Sequence, residues 1–179
     1  MLRTLAPFLA TGLAVCVAGT AGAQAPVRSG TAPSNEGTVM ARLNTAYGTD
    51  IGSVTFLSMR AGVNIIVNFN DLPPGPHAIH IHETGACTPD FSAAGGHLAP
   101  NGHGHGFAAT EDPHPGDLPN LYVADDGTAR AEFLDWRLTM DQLLDGDGSA
   151  VIVHQSPDSY MESASAGDRI ACGVVEQLS

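Results

Sequence analysis

Hydrophobic and polar positions alternate in short runs along most of this chain. Val39, Ala41 and Leu43 keep a period of two in "TVMARLNTAY", and Val63, Ile65, Val67 and Phe69 keep it in "GVNIIVNFN". Successive side chains of an extended strand face opposite sides, so this period predicts strands with one buried face. "IGSVTFLSM", "AIHIHE", the two halves of "LYVADDGTARAEFLDWRL", "SAVIVHQ" and "RIACGVVEQ" read as further strands. Turn clusters such as "DLPPGP" (Asp71–Pro76) and Asp126-Gly127 separate them. "LTMDQLLDGD" (Leu138–Asp147) reads as a helical turn or a loop. About eight short strands and no long helix predict an all-β sandwich or barrel.

One stretch breaks this rhythm. From Thr84 to about Asn120 the chain is irregular and thick with Gly, Pro and His. Loops this long in a compact domain are usually functional or disordered.

Composition narrows the class. The chain has 179 residues, seven Lys+Arg against 19 Asp+Glu, and a formal net charge of −12. All seven cations are arginines. Such acidity argues against nucleic acid and against an anionic membrane surface as partners. Residues 1–23 resemble a secretory signal: Arg3, an apolar run from Leu5 to Val17, then Ala21-Gly22-Ala23 as an A-x-A cleavage site. The run is too short for a bilayer span, so no membrane span is expected. A lipoprotein signal ending at Cys16 is the rival reading, and bulky Val15 argues against it. Residues 24–36 read as a flexible arm, leaving one domain at 37–179. Export to the periplasm is the expected destination. Cys87 and Cys172 then remain as an even pair, for which one disulfide is the default in an oxidising compartment.

The histidines carry the candidate chemistry. His80 and His82 lie one residue apart on a strand and project from one face, whereas His77 has the opposite parity. Two imidazoles so placed can chelate one metal, although an H-x-H pair also occurs with no such role. The long loop adds His97, His103, His105, His114 and Asp117. It is either a polar surface loop or a metal cage. A metal would offset the entropy of ordering so many residues, and a His/Asp set without thiolate suits zinc. His154 closes the apolar run "SAVIVH".

These segments together resemble the copper/zinc superoxide dismutases of the exported bacterial type. "GPHAIHIHETGAC", "SAAGGHLAP", "HGHG", "HPGDLPN", "VIVHQSPDSY" and "GDRIACGVV" each resemble a family motif, spread from about Thr38 to Glu176. The resemblance implies an eight-stranded antiparallel Greek-key barrel or sandwich with long metal-binding and active-site loops. It implies copper held by His80, His82, His97 and His154, and zinc held by His97, His105, His114 and Asp117. His97 would bridge the two metals and act in catalysis with Arg169, which would receive the anionic substrate, superoxide. Asp158 would join a copper histidine to a zinc histidine, and Cys87–Cys172 would be the disulfide. His77 and His103 match no ligand position.

Several positions depart from the family pattern: Ala78, Leu98, Ala99 and Ser159 replace more usual residues. No lysine flanks Arg169, only Asp158, Glu162 and Asp168, which predicts weak electrostatic steering of superoxide. Monomer and homodimer both stay open. A non-enzymatic exported copper/zinc-binding protein on the same scaffold is the alternative function. Arg169 and His154 favour the enzyme, because a metal buffer needs no docking site for an anion.

Overall fold

The computed structural model describes residues 37–100, 102, 104–108, 112–161 and 166–178. The signal (1–23), the arm (24–36), His103 and Glu162 lie outside the described residues.

The alternating runs form strands where the pattern places them. They are β1 (Thr38–Thr45), β2 (Asp50–Met59), β3 (Gly62–Phe69), β4 (Gly75–His77), β5 (Ile79–His82), β6 (Leu121–Val123), β7 (Ala129–Asp135), β8 (Ala150–His154) and β9 (Arg169–Gln177). In β1 and β3 the apolar positions of each alternation are buried. A short helix, α1 (Met140–Leu143), opens on a capping box in which Thr139 and Gln142 satisfy each other's backbone N–H groups. The stretch that read as a helical turn or a loop is therefore both, with the loop following α1.

β5 is the strand expected at "AIHIHE", whereas β4, separated from it at Ala78, takes in Gly75 and Pro76 of the expected turn cluster, so nine strands stand among the described residues where eight were expected. The split has a cause. The N–H of Ala78 donates to the Ser156 carbonyl, and the Ala78 carbonyl accepts from His154 N–H. Residue 78 thus leaves one ladder for another. β4 pairs with β6, whereas β5 pairs with β8. Seven strands form one antiparallel sheet in the order β5-β8-β9-β1-β2-β3-β7, and β4-β6 form a second. A turn in which the Ala124 and Thr128 backbones bond links β6 to β7. The β4–β5 run therefore returns the chain from the β7 side to the far edge of the long sheet, which curls the whole into a barrel-like sandwich with Greek-key crossovers.

β5 and β8 are buried on both faces. Ile79, Ile81, Val151 and Val153 point into the main core with Leu43, Phe56, Ile65 and Phe69. On the other face, Ala150 and Ile152 form a small second cluster with Ala94 and Cys172, covered by Cys87 and Phe91. The long loop seals the outer edge of β5. Ile81 N–H donates to the Gly116 carbonyl, Leu98 N–H to the Ile81 carbonyl, and Glu83 N–H to the Gly96 carbonyl. This pairing satisfies an edge that would otherwise be open to association. Gly116 permits it, because a Cβ there would lie 2.3 Å from the Ile81 carbonyl oxygen. The Cys87–Cys172 disulfide ties the start of the loop to β9, with a Cα–Cα distance of 5.9 Å.

Candidate metal centre

The period of two puts Ile79 and Ile81 in the core and turns His80 and His82 outward beneath the loop. Pairing of β5 with β8 sets His80 opposite Ile152, and an irregularity at the end of β8 brings His154 opposite Arg169. The loop supplies the rest. His82 and His97 form an isolated antiparallel bridge, as do His80 and Asp117.

Two donor groups result. His80, His82, His97 and His154 present one ligand atom each within 4.8 Å of one another, and so do His97, His105, His114 and Asp117. His97 belongs to both. The ring centroid of His97 lies 4.0 Å from that of His80 and 4.9 Å from that of His105.

The first group is defined by nitrogens that lack hydrogen-bond partners. His80 Nδ1, His82 Nε2 and His154 Nε2 are buried without one. The opposite nitrogen of each ring is engaged. His80 Nε2 donates to Asp158 Oδ2 at 2.9 Å, His82 Nδ1 to the Gly95 carbonyl at 3.0 Å, and His154 Nδ1 to the Gly167 carbonyl at 3.3 Å. Each ring thereby carries its proton on the engaged atom and aims a lone pair into a shared space. Burying three unpaired acceptors is costly unless something binds them. Protons are a poor candidate. Burial lowers the His82 pKa to about 2, helped by the neighbouring His97 and Arg169 charges. Burial and then His80 lower His154 to about 4, and burial also lowers His80 against the pull of Asp158. A soft or borderline cation with imidazole preference fits the set.

The second group converges on one oxygen. Asp117 Oδ1 lies 2.7 Å from His97 Nδ1, 3.1 Å from His105 Nδ1 and 3.4 Å from His114 Nδ1. Its other oxygen accepts the Gly106 N–H at 2.8 Å. Burial would raise the Asp117 pKa, but the hydrogen bonds from His97 and Gly106 outweigh it and hold the carboxyl well below the usual range. Gly106 is required on two counts: its φ is +91°, and a Cβ would lie 2.3 Å from the Tyr160 carbonyl oxygen. Three imidazoles and a carboxylate without thiolate suit zinc.

Asp158 spans the groups. It accepts from His80 Nε2 and, at 3.1 Å, from His105 Nε2. Burial would raise its pKa, yet the bonds from His80 and the Tyr160 N–H bring it down to about 2. Arg169 donates to the carbonyls of Phe91 and Gly95. Gly95 O thus receives both Arg169 and His82, which locks the arginine beside the first group. His77 points elsewhere: its nitrogens contact the His154 and Pro73 carbonyls at 2.8 Å each.

The described residues expected as ligands, together with Asp158 and Arg169, are therefore brought to this centre, Cys87 and Cys172 form the disulfide, and His77 lies outside the donor groups. Other residues were not foreseen. Asn120 grips the Asp158 backbone at both N–H and carbonyl, at 2.8 Å each. Glu83 accepts the Gly96 N–H beside His97. Arg137 donates to the carbonyls of His114 and Asp117. The "LPN" segment around Asn120 carried a usable signal, whereas Arg137 carried none in its spacing.

Comparison with known proteins agrees with this geometry. The model of the copper/zinc superoxide dismutase family matches residues 51–175. The chain belongs to that family. Among its dismutase relatives, the copper–zinc superoxide dismutase 2 of Aquifex aeolicus is 39% identical over 144 residues, covering 75% of this chain and 84% of that protein. The copper–zinc superoxide dismutase of Haemophilus parainfluenzae is 34% identical over 189 residues and is covered to 98%, as is this chain. Two solved structures share the fold. A SOD-like protein from Bacillus subtilis has a TM-score of 0.71 at 34% identity, covering 78% of this chain and 97% of that one. The Cu/Zn superoxide dismutase of Brucella abortus has a TM-score of 0.67 at 28% identity, covering 78% and 99%.

Proposed function

We propose that this protein is a superoxide dismutase that uses copper and zinc, with His80, His82, His97 and His154 holding copper and His97, His105, His114 and Asp117 holding zinc. The observation that carries this reading is the set of three buried, unpartnered ring nitrogens meeting a second donor group at His97. When bound, copper supplies the one-electron chemistry by which two superoxides and two protons become dioxygen and hydrogen peroxide, while zinc is redox-inert.

The chain's own residues set the conditions. His97 directs Nδ1 to Asp117, leaving Nε2 for the copper set and for holding and releasing a proton there. Asp158 holds the protons of His80 and His105 on Nε2, so both rings present Nδ1 to their groups. Arg169 keeps a fixed positive charge beside His82 and His154, where an anion docks without reorganisation. Among the described residues Asp90 is an acid whose charge acts on Arg169, and the absence of lysine from the sequence predicts slow, weakly salt-dependent capture of superoxide.

The Cys87–Cys172 disulfide supports export, to the periplasm, and the apolar residues 5–17 support a cleaved signal before Gln24. Among the described residues no helix is long and apolar enough to cross a membrane. Arg169 favours the enzyme over a metal buffer. The test measures copper and zinc per chain and superoxide removal on one purified sample. About one of each metal, with activity that disappears when copper is removed, is the expected result. Full metal loading without turnover would leave the buffer as the function.

A further inference from the structure

Arg137 stands two residues beyond the end of β7 and touches the second donor group from behind. Its Nη1 donates to the His114 carbonyl at 3.1 Å and its Nη2 to the Asp117 carbonyl at 3.0 Å. The same guanidinium forks on Asp135, the last residue of β7. Nε lies 3.0 Å from Oδ1 and Nη2 lies 2.6 Å from Oδ2. Asp135 is only 4% exposed, and it also accepts the Arg137 backbone N–H at 2.8 Å. Above the guanidinium, 5.0 Å away, is the ring of Phe107. Phe107 follows Gly106, whose N–H holds the Asp117 carboxylate.

Two parts of the loop, Phe107 and the His114–Asp117 turn, therefore meet at one cation anchored to the buried end of β7. The His114–Asp117 turn is closed by Asp117 N–H bonding to the His114 carbonyl. On its inner side, Gly116 is bonded to Ile81 and Leu98. On its outer side, Arg137 takes the two carbonyls. Only a planar fork with several fixed N–H groups can serve Asp135 and two carbonyls at once, which an ammonium cannot reproduce.

We propose that Arg137, oriented by Asp135, is a positioning residue that shapes the His114–Asp117 turn for zinc and slows zinc release. The inference rests on the reading that His97, His105, His114 and Asp117 hold zinc. Outer partners of metal ligands typically change metal affinity by about 10–100-fold when removed.

The experiment loads full-length mature protein with copper and zinc and follows zinc transfer to an excess of a coloured chelator. Wild type, R137Q, R137K, D135N and the R137Q/D135N double variant are compared. Copper content, metal-free unfolding and the visible spectrum of cobalt placed in the zinc position are recorded alongside. R137Q is expected to release zinc about 10–100-fold faster and to shift the cobalt spectrum. R137K and D135N should show smaller changes of the same sign. The double variant should release zinc no faster than R137Q, because the two side chains act as one unit. Wild-type release and an unchanged cobalt spectrum in folded R137Q would overturn the proposal, even if its metal-free form were less stable. Should R137Q not fold, wild-type release from both R137K and D135N would overturn it equally. Wild-type protein that retains no zinc would overturn the zinc reading itself, whereas one zinc per chain with indifferent variants would overturn only the clamp.

Discussion

Copper's proposed donors and zinc's are built in different ways. Three of the first four sit on strands or strand ends: His80 and His82 on β5 and His154 at the end of β8. Their Cα positions follow from ladder pairing and from the burial of Ile79, Ile81, Val151 and Val153 between them. The second group has no strand residue. His97, His105, His114 and Asp117 all come from the long loop, and they are placed by individual tethers: Gly106, Gly116, Arg137 and the bridges to β5. A strand site is preorganised by the same packing that stabilises the fold, whereas a loop site must be held point by point. The copper set should therefore outlast removal of zinc, and the zinc set should be the fragile half.

The hardest blow to this contrast is Asp117→Asn. It removes the negative charge facing three imidazoles and weakens the Gly106 tether. Zinc per chain should fall to near zero while copper binding persists; simultaneous loss of both metals would contradict independent construction. Removing both cysteines by serine substitution tests the tether at the other end of the loop. The bridge spans a sequence separation of 85 residues, so the chain-entropy treatment gives roughly 4–5 kcal/mol of stability lost in denaturant unfolding, a model-dependent upper figure. A loss below about 1 kcal/mol would mean that Phe91 and Ala94 pack the loop down without it.

A smaller effect is expected at the one side chain that joins both halves. Asp158→Asn keeps the shape but cannot accept from His80 and His105 as a carboxylate does. Affinity for each metal should drop about 10–100-fold, read by competition with a chelator. A change at one metal alone would show that the two halves are not coupled through this residue. Acid supplies the mildest probe. Unfolded histidines take up protons near pH 6.5, but in the fold His154 does so only near 4 and His82 near 2. Between those values the unfolded chain binds more protons. The metal-free fold must then lose stability as pH falls from 6.5 towards 4 and be unaffected by these groups above 7. Equal thermal midpoints of the metal-free protein at pH 7.5 and pH 5 would contradict the burial of these rings as neutral groups.

The same contrast explains what could be read in the sequence. Alternation exposes β1 and β3 directly, and parity alone separates His80 and His82 from His77. The proposed copper donors of β5 were visible as a candidate pair because strand geometry is local. The crowding of His97, His103, His105, His114 and Asp117 in one loop already suggested a metal cage, but which of them converge was legible only through resemblance to a family, since nothing in their spacing specifies it. Arg137 was invisible: "LDWRL" continues a strand pattern, and its partners lie 20 and 23 residues away. The break at Ala78 was hidden for a similar reason, because the hydrogen bonds that cause it go to residues 154 and 156. The capping box Thr139–Gln142 was legible and would have placed α1.

The claim on which everything else depends is that one imidazole, His97, serves two different metals. Anomalous X-ray diffraction from crystals of the fully loaded protein, collected on either side of the copper and zinc absorption edges, tests it directly. The account predicts copper among His80, His82, His97 and His154, and zinc among His97, His105, His114 and Asp117. Copper in both positions, or a single metal with His97 bound to neither group, would contradict it.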